Sequence, residues 1–219
     1  MTKDDVLAAL GTVYDPELDE PITALRFVAS CEVADSGAVH VRLRLPTPQC
    51  APNFAYLMAA DARDAVLALP EAGEVTVVLE DHYTGAEINL AVGRGGGFAD
   101  AFPGETAGDL GALRELFRRK ALVARQGRLI PSVPDPASAR LGDLAGPDAA
   151  RCRELRGELG IDASDDAPAF VLGDGTPVAA EALGRFARMA SLTAISLEAN
   201  GGVCRSLLEV RYGTEEVAA

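Results

Sequence analysis

Hydrophobic and polar positions alternate twice near the start of the chain. In "LRFVASCEV" (25–33) Leu25, Phe27, Ala29, Cys31 and Val33 share one face, and after "ADSG" the run "AVHVRLRL" (38–45) places Val39, Val41, Leu43 and Leu45 inward. Period-two alternation on both sides of a short polar turn predicts an antiparallel hairpin with one buried face. The period then lengthens. Across "PNFAYLMAADARDAVLAL" (52–69), Phe54, Leu57, Met58, Ala62, Ala65 and Leu69 recur at helical spacing, and "EVTVVLED" (74–81) returns to a strand pattern. Strand, helix and strand in this order predict a right-handed parallel crossover. A helical stripe of Val6, Leu7, Leu10 and Val13 precedes it all.

These elements make a small mixed α/β sheet, with an antiparallel hairpin plus a parallel crossover, in a first domain over residues 1–92. The stretch 93–109 is rich in glycine and lacks the Lys-Ser/Thr of a phosphate-binding loop, so it reads as a linker. Residues 110–219 then predict a second, α+β domain. Its expected elements are helices over 110–126, about 148–159 and about 179–190, a strand pair around 173–175, and a terminal hairpin. That hairpin is "LTAISLEANGGVCRSLLEVRY" (192–212), turning at Asn200-Gly201.

Charge narrows the function classes. The formal net charge is -13, and residues 1–104 carry 6 Lys/Arg against 16 Asp/Glu. Such a surface repels phosphate backbones, which argues against nucleic-acid binding and suits a basic protein partner. No stretch approaches a membrane span and no apolar leader opens the chain, so the expectation is a cytoplasmic protein with no membrane role. Cys31, Cys50, Cys152 and Cys204 form no CxxC, so neither a zinc knuckle nor a disulfide framework is signalled.

Topology brings candidate chemistry together. In a parallel crossover the C-terminal ends of strands 38–45 and 74–81 share one sheet edge, where ligands of α/β sheets gather. "RLPTPQCAPNF" (44–54) leaves Cys50 just past one end, and His82 follows the other. The antiparallel strand 25–33 starts at the same edge and draws in "DPELDEPI" (15–22), with Asp15, Pro16 and Glu17. Cys50, His82, Asp15 and Glu17 are therefore the candidate metal or proton-transfer groups. Cys50 also stands at a helix N-terminus, which favours thiolate. Each residue has a plainer reading: a buried, inert cysteine, a solvent-exposed loop imidazole, and an N-cap Asp before a first-turn proline. Cys31 and His40 read as structural, and Cys152 and Cys204 have no assigned role.

The run "VLAALGTVYDPELDEPI", the strand "LRFV", "VHVRLRLPTPQCAP" and "GEVTVVLED" together resemble the metal–sulfur cluster assembly domain family that includes PaaD and SufT. The resemblance covers residues 4–81 and assigns the family hallmarks to Asp15, Pro16, Glu17, Thr47 and Cys50, with Cys50 as the cluster-handling residue. Two departures stand out. Ala51 separates Cys50 from Pro52, and "DHYTGAEIN" replaces the Pro-Pro-Trp that many members carry, which offers His82 as a substitute ligand.

The resemblance implies a non-enzymatic maturation factor that handles an iron–sulfur cluster or iron transiently. Its partners would be a client metalloenzyme, such as an oxygenase, or iron–sulfur assembly proteins. One cysteine cannot complete such a site, because clusters usually take four protein ligands. A homodimer with two Cys50 thiols, neighbouring side chains or the client would complete it. Two other readings stand beside this one. In the first the chain escorts a metalloenzyme without touching metal, with the arginine-rich run 114–128 as the contact face; in the second Cys50 is a nucleophile and His82 its base.

Overall fold

A computed structural model describes residues 1–105 and 110–213, and the chain divides into two compact units. The first unit comprises Met1–Leu110 together with the chain from Gly201, and the second is Gly111–Asn200. The first unit is therefore discontinuous in sequence.

In the first unit, helix α1 (Lys3–Leu10) starts at a capping box, with Thr2 and Asp5 satisfying each other's backbone N–H. A two-residue strand pair follows, β1 (Tyr14–Asp15) and β2 (Glu20–Pro21), where a helix start was the plainer sequence reading of Asp15-Pro16-Glu17. The main sheet has the order β3–β4–β5, with β3 at Val28–Val33, β4 at Val39–Arg44 and β5 at Val75–Glu80. β3 and β4 are antiparallel, and β4 and β5 are parallel, from Val39 opposite Val75 to Arg44 opposite Glu80.

This is the mixed α/β sheet that the alternation predicted. The buried face of β4 carries Val39, Val41 and Leu43, and Leu45 follows them into the core. On the other face Glu80 pairs with both Arg42 and Arg44, tying the two parallel strands at their shared C-terminal edge. One detail departs from strict alternation: the register shifts between Val28 and Ser30, so Phe27 and Val28 are both buried and Ala29 is not. A bulge of this kind breaks period two for one residue.

Helix α2 (Pro52–Leu67) is the crossover, with Pro in its first turn and Ala55, Met58, Ala59, Ala62 and Val66 buried against the sheet. Helix α3 (Gly85–Gly93) follows β5. The Asn89 amide accepts from Leu79 N–H at 2.8 Å and donates to Leu79 C=O at 3.0 Å, acting as a substitute strand partner for the edge of β5.

Part of the stretch expected as a linker is core instead. Helix α4 (Phe98–Ala101) buries Phe98 and Ala101, with Phe102 beside them, and Tyr56 on α2 donates its hydroxyl to the Gly96 carbonyl at 2.9 Å. The glycines supply chain freedom, while the phenylalanines supply the apolar anchor. Residues 106–109 of that stretch lie outside the described residues.

The second unit is built mainly from α5 (Gly111–Leu129), α6 (Pro147–Glu158) and the first part of α7 (Leu183–Tyr212). Its β content among the described residues is two isolated antiparallel bridges, Arg140 with Pro168 and Val171 with Pro177. Arg156 is fully buried and donates to the carbonyls of Asp162, Pro168 and Ala169, while Gln126, also fully buried, holds Val171 through both its N–H and C=O. These polar side chains close loop backbone groups that have no ladder to join.

The expected terminal hairpin is corrected: residues 192–212 continue α7, a helix of 30 residues. Asn200-Gly201 is not a turn here. Gly201 is buried, and a Cβ there would stand 2.6 Å from Glu20 Oε1, the movable end of that side chain. Buried Phe186, Ala190, Ala194, Leu197 and Leu208 recur at helical intervals along the same helix. The part from Gly201 belongs to the first unit, where Leu208 joins the main core.

Candidate functional site

The turn after β4 is set by its prolines. Thr47-Pro48-Gln49-Cys50 closes with the Cys50 N–H donating to the Thr47 carbonyl at 3.4 Å, a β-turn with proline at its second position. Thr47 Oγ1 lies 3.6 Å from Cys50 Sγ and also accepts from the Gln49 N–H. Cys50 is half-buried, one residue before the Ala51 that caps α2.

His82 reaches the same turn from β5. Asp81 adopts a left-handed conformation, φ 50°, which turns the chain sharply as the strand ends. The Tyr83 N–H then donates to the Pro48 carbonyl at 3.1 Å, and His82 Nε2 lies 2.8 Å from the Cys50 carbonyl oxygen. Thr84 N–H donates to His82 Nδ1 at 3.3 Å. Nδ1 is therefore the unprotonated nitrogen and Nε2 carries the hydrogen. Cys50 and His82 do meet, but through the cysteine backbone; the imidazole braces the turn and presents no lone pair to Sγ.

Asp15 closes the β1–β2 turn. Its Oδ1 accepts from the N–H groups of Glu17 (2.8 Å) and Leu18 (2.9 Å), and its backbone carbonyl accepts from Asp19 N–H. Asp15 is 8% exposed. Burial pushes its carboxyl up to about 6, with the charges of Glu17 and Glu20 adding to the rise and the two backbone N–H groups opposing it. Glu17 itself is exposed and Pro16 is half-buried.

A further group reaches this edge unannounced by the sequence reading: Cys204, from the C-terminal part of α7. Burial first, then the charges of Asp15, Cys50 and Glu17, push its thiol up to about 11 against the opposing charge of Arg205. Its helix is fastened on both sides. Arg205 pairs with Glu20, Arg211 donates to the carbonyls of Leu45 (3.3 Å) and Pro46 (3.4 Å), and Tyr212 donates to Asp81 Oδ2 at 3.0 Å. The signal that would have found Cys204 is its place in a helical stripe with Gly201 and Leu208, read at spacings of three and four.

Cys31 is buried, which raises its thiol, and Cys152 is buried in the core of the second unit. Among the described residues no three His, Cys, Asp or Glu side chains are arranged to hold a metal ion. Cys50, His82, Asp15 and Glu17 thus share one edge without forming a closed coordination sphere.

The mixed sheet thus ends in a proline turn that carries half-buried Cys50, on the same unit as the Asp15-Pro16-Glu17 turn with its buried aspartate. The chain belongs to the iron–sulfur cluster assembly protein family, which matches residues 3–77. An uncharacterized protein of Methanocaldococcus jannaschii is 37% identical over 89 residues, which make up 41% of this chain and 92% of the relative. No solved structure matches the chain. Family membership places the protein in iron–sulfur cluster assembly, work that involves contact with other proteins. No helix among the described residues is long and apolar enough to cross a membrane.

Proposed function

We propose that the protein is a non-enzymatic maturation factor that receives an iron–sulfur cluster or iron as cargo and passes it to a client metalloenzyme. Cys50 is its cargo-handling thiolate. The observation that carries this reading is the setting of Cys50, half-exposed on a proline turn at the shared C-terminal edge of two parallel strands, with Thr47 Oγ1 at its sulfur. The family match over this segment supports the cargo. An open coordination sphere suits transfer, because a cargo that must leave is better held by few ligands than by four. An oxygenase is one client class that would need such loading.

Anaerobic reconstitution of wild type and Cys50→Ala with iron and sulfide tests the reading. The expected result is bound iron and cluster absorbance in the wild type and a several-fold loss in the variant. Equal, negligible iron in both would overturn it and favour the second reading, an escort that binds the client without touching metal. A cysteine–histidine nucleophile finds no support, since Nε2 of His82 is spent on the Cys50 carbonyl.

A further inference from the structure

Helix α7 exposes the large apolar side chains of Met189, Leu192, Ile195, Val203, Leu207 and Val210. Successive helical residues turn by ~100°, so these positions share one outward face, opposite the side that buries Phe186, Ala190 and Leu208. Leu192 is 68% exposed and Val210 84%. A lone exposed leucine is ordinary, whereas a run of apolar residues along one face marks an interaction site. The spacing sharpens the point. Alternate steps of three and four lead from Met189 through Leu192, Ser196, Ala199, Val203 and Ser206 to Val210, and every one of these positions is exposed. This is the a/d repeat of a two-helix seam. Serine and alanine at three of the positions keep the seam low, so that a second helix can approach closely.

Charge is ordered along the same face. Arg185 and Arg188 are exposed near its start and Glu209 near its end. Arg188 and Glu209 each stand one residue before a seam position, Met189 and Val210, and so flank the seam on the same side.

We infer that the outward face of α7 is a self-association surface, on which a second copy of this chain packs its own α7 in antiparallel orientation. A seam of heptad period is matched by another helix of the same period. Antiparallel pairing sets Arg188 of each copy beside Glu209 of the other, and a two-fold axis makes the contact twice. Parallel pairing would bring arginine to arginine and glutamate to glutamate, and would align the two helix dipoles. The size is sufficient. At ~1.5 Å per residue the seam runs ~32 Å, and half the circumference of a helix ~12 Å across over that length is on the order of 600 Å² per copy. The pair then buries about 1,200 Å², the lower end of specific interfaces, which suits a reversible dimer. The contact needs neither sulfur nor metal, so it holds or fails apart from the reading of Cys50.

Sedimentation equilibrium of the full-length protein under reducing conditions, from low to high micromolar concentration, tests the inference. The mass is expected to rise from one chain, 22.8 kDa, toward two. Leu192→Glu, at a position that already meets water in the single chain, should weaken the dimer by roughly tenfold or more. Val210→Glu repeats the test if that variant does not fold. Arg188→Glu and Glu209→Arg should each weaken association several-fold, and the two together should restore it, a rescue that misfolding cannot imitate. A chain that stays single throughout the range overturns the inference. So does a dimer that both glutamate variants leave unchanged, since it uses another surface, and so does a double variant no better than its parents, since the helices then do not pair antiparallel. Binding to phosphatidylcholine–phosphatidylglycerol vesicles by a chain that stays single, lost in Leu192→Glu, overturns it in favour of a lipid surface.

Discussion

His82 Nε2–H donates to the carbonyl of Cys50 across 2.8 Å, so a residue 32 positions away fixes the backbone on which the candidate thiol is mounted. The Thr84 N–H holds the opposite ring nitrogen, so ring orientation and tautomer are set together.

Replacing His82 by Ala should therefore loosen the turn without removing any sulfur. A stability loss of about 1 kcal/mol is expected from the lost hydrogen bond, read from the midpoint of chemical unfolding. The Cys50 amide should also exchange its hydrogen faster in the variant. An unchanged exchange rate would mean that the imidazole does not brace the turn.

Asp15 gives a pH prediction with a definite sign. Its folded value, about 6, lies above the ordinary 3.8, so the native state holds this proton more tightly than the unfolded chain does. The associated stability is complete below pH ~4 and is lost as the pH rises through ~6, a change of about 3 kcal/mol. Asp15→Asn keeps an oxygen to accept from Glu17 and Leu18 and has no charge to bury. Denaturant unfolding of the variant at pH 4 and pH 7 should lack that decline.

In the second unit Gly127 is the sharpest steric test. A Cβ there would stand 2.5 Å from the backbone carbon of Ala190 and 2.6 Å from its oxygen. Alanine ordinarily favours a helix over glycine by about 1 kcal/mol, yet here it meets backbone that cannot rotate away. Gly127→Ala is expected to cost about 2 to 4 kcal/mol in thermal or denaturant unfolding.

Arg156 is fully buried and hydrogen-bonded to three loop carbonyls. Arg156→Ala leaves those carbonyls without their donor and opens a cavity, and a loss of about 3 to 5 kcal/mol follows. Arg156→Lys should recover little, because one ammonium cannot reproduce the span of the guanidinium. Calorimetry of both variants would check this.

The first sheet was legible because its signals are local. Val39, Val41, Leu43 and Leu45 alternate without a break, and the prolines at 46 and 48 end the strand where the next helix must begin. The shared edge then followed from topology alone. Helix α7 was illegible for a physical reason: it is apolar on more than its buried side. Leu192, Ile195, Val203, Leu207 and Val210 are all exposed, so the contrast that marks an amphipathic helix is blurred, and Asn-Gly dominated the reading. Cys204 was lost with it. Its neighbourhood depends on contacts spanning most of the chain, such as Arg205 with Glu20, which no local pattern encodes.

The discontinuity of the first unit bears on how the protein is made. A ribosome releases the strands, the proline turn and Cys50 before Gly111–Asn200, whereas Leu208 and the anchoring residues Arg205, Arg211 and Tyr212 emerge only after it. Domains generally fold in the order in which they leave the ribosome. The first unit therefore lacks its helix from Gly201 while the 90 residues of Gly111–Asn200 are translated. The helical turns from Gly201 join a core begun some two hundred residues earlier.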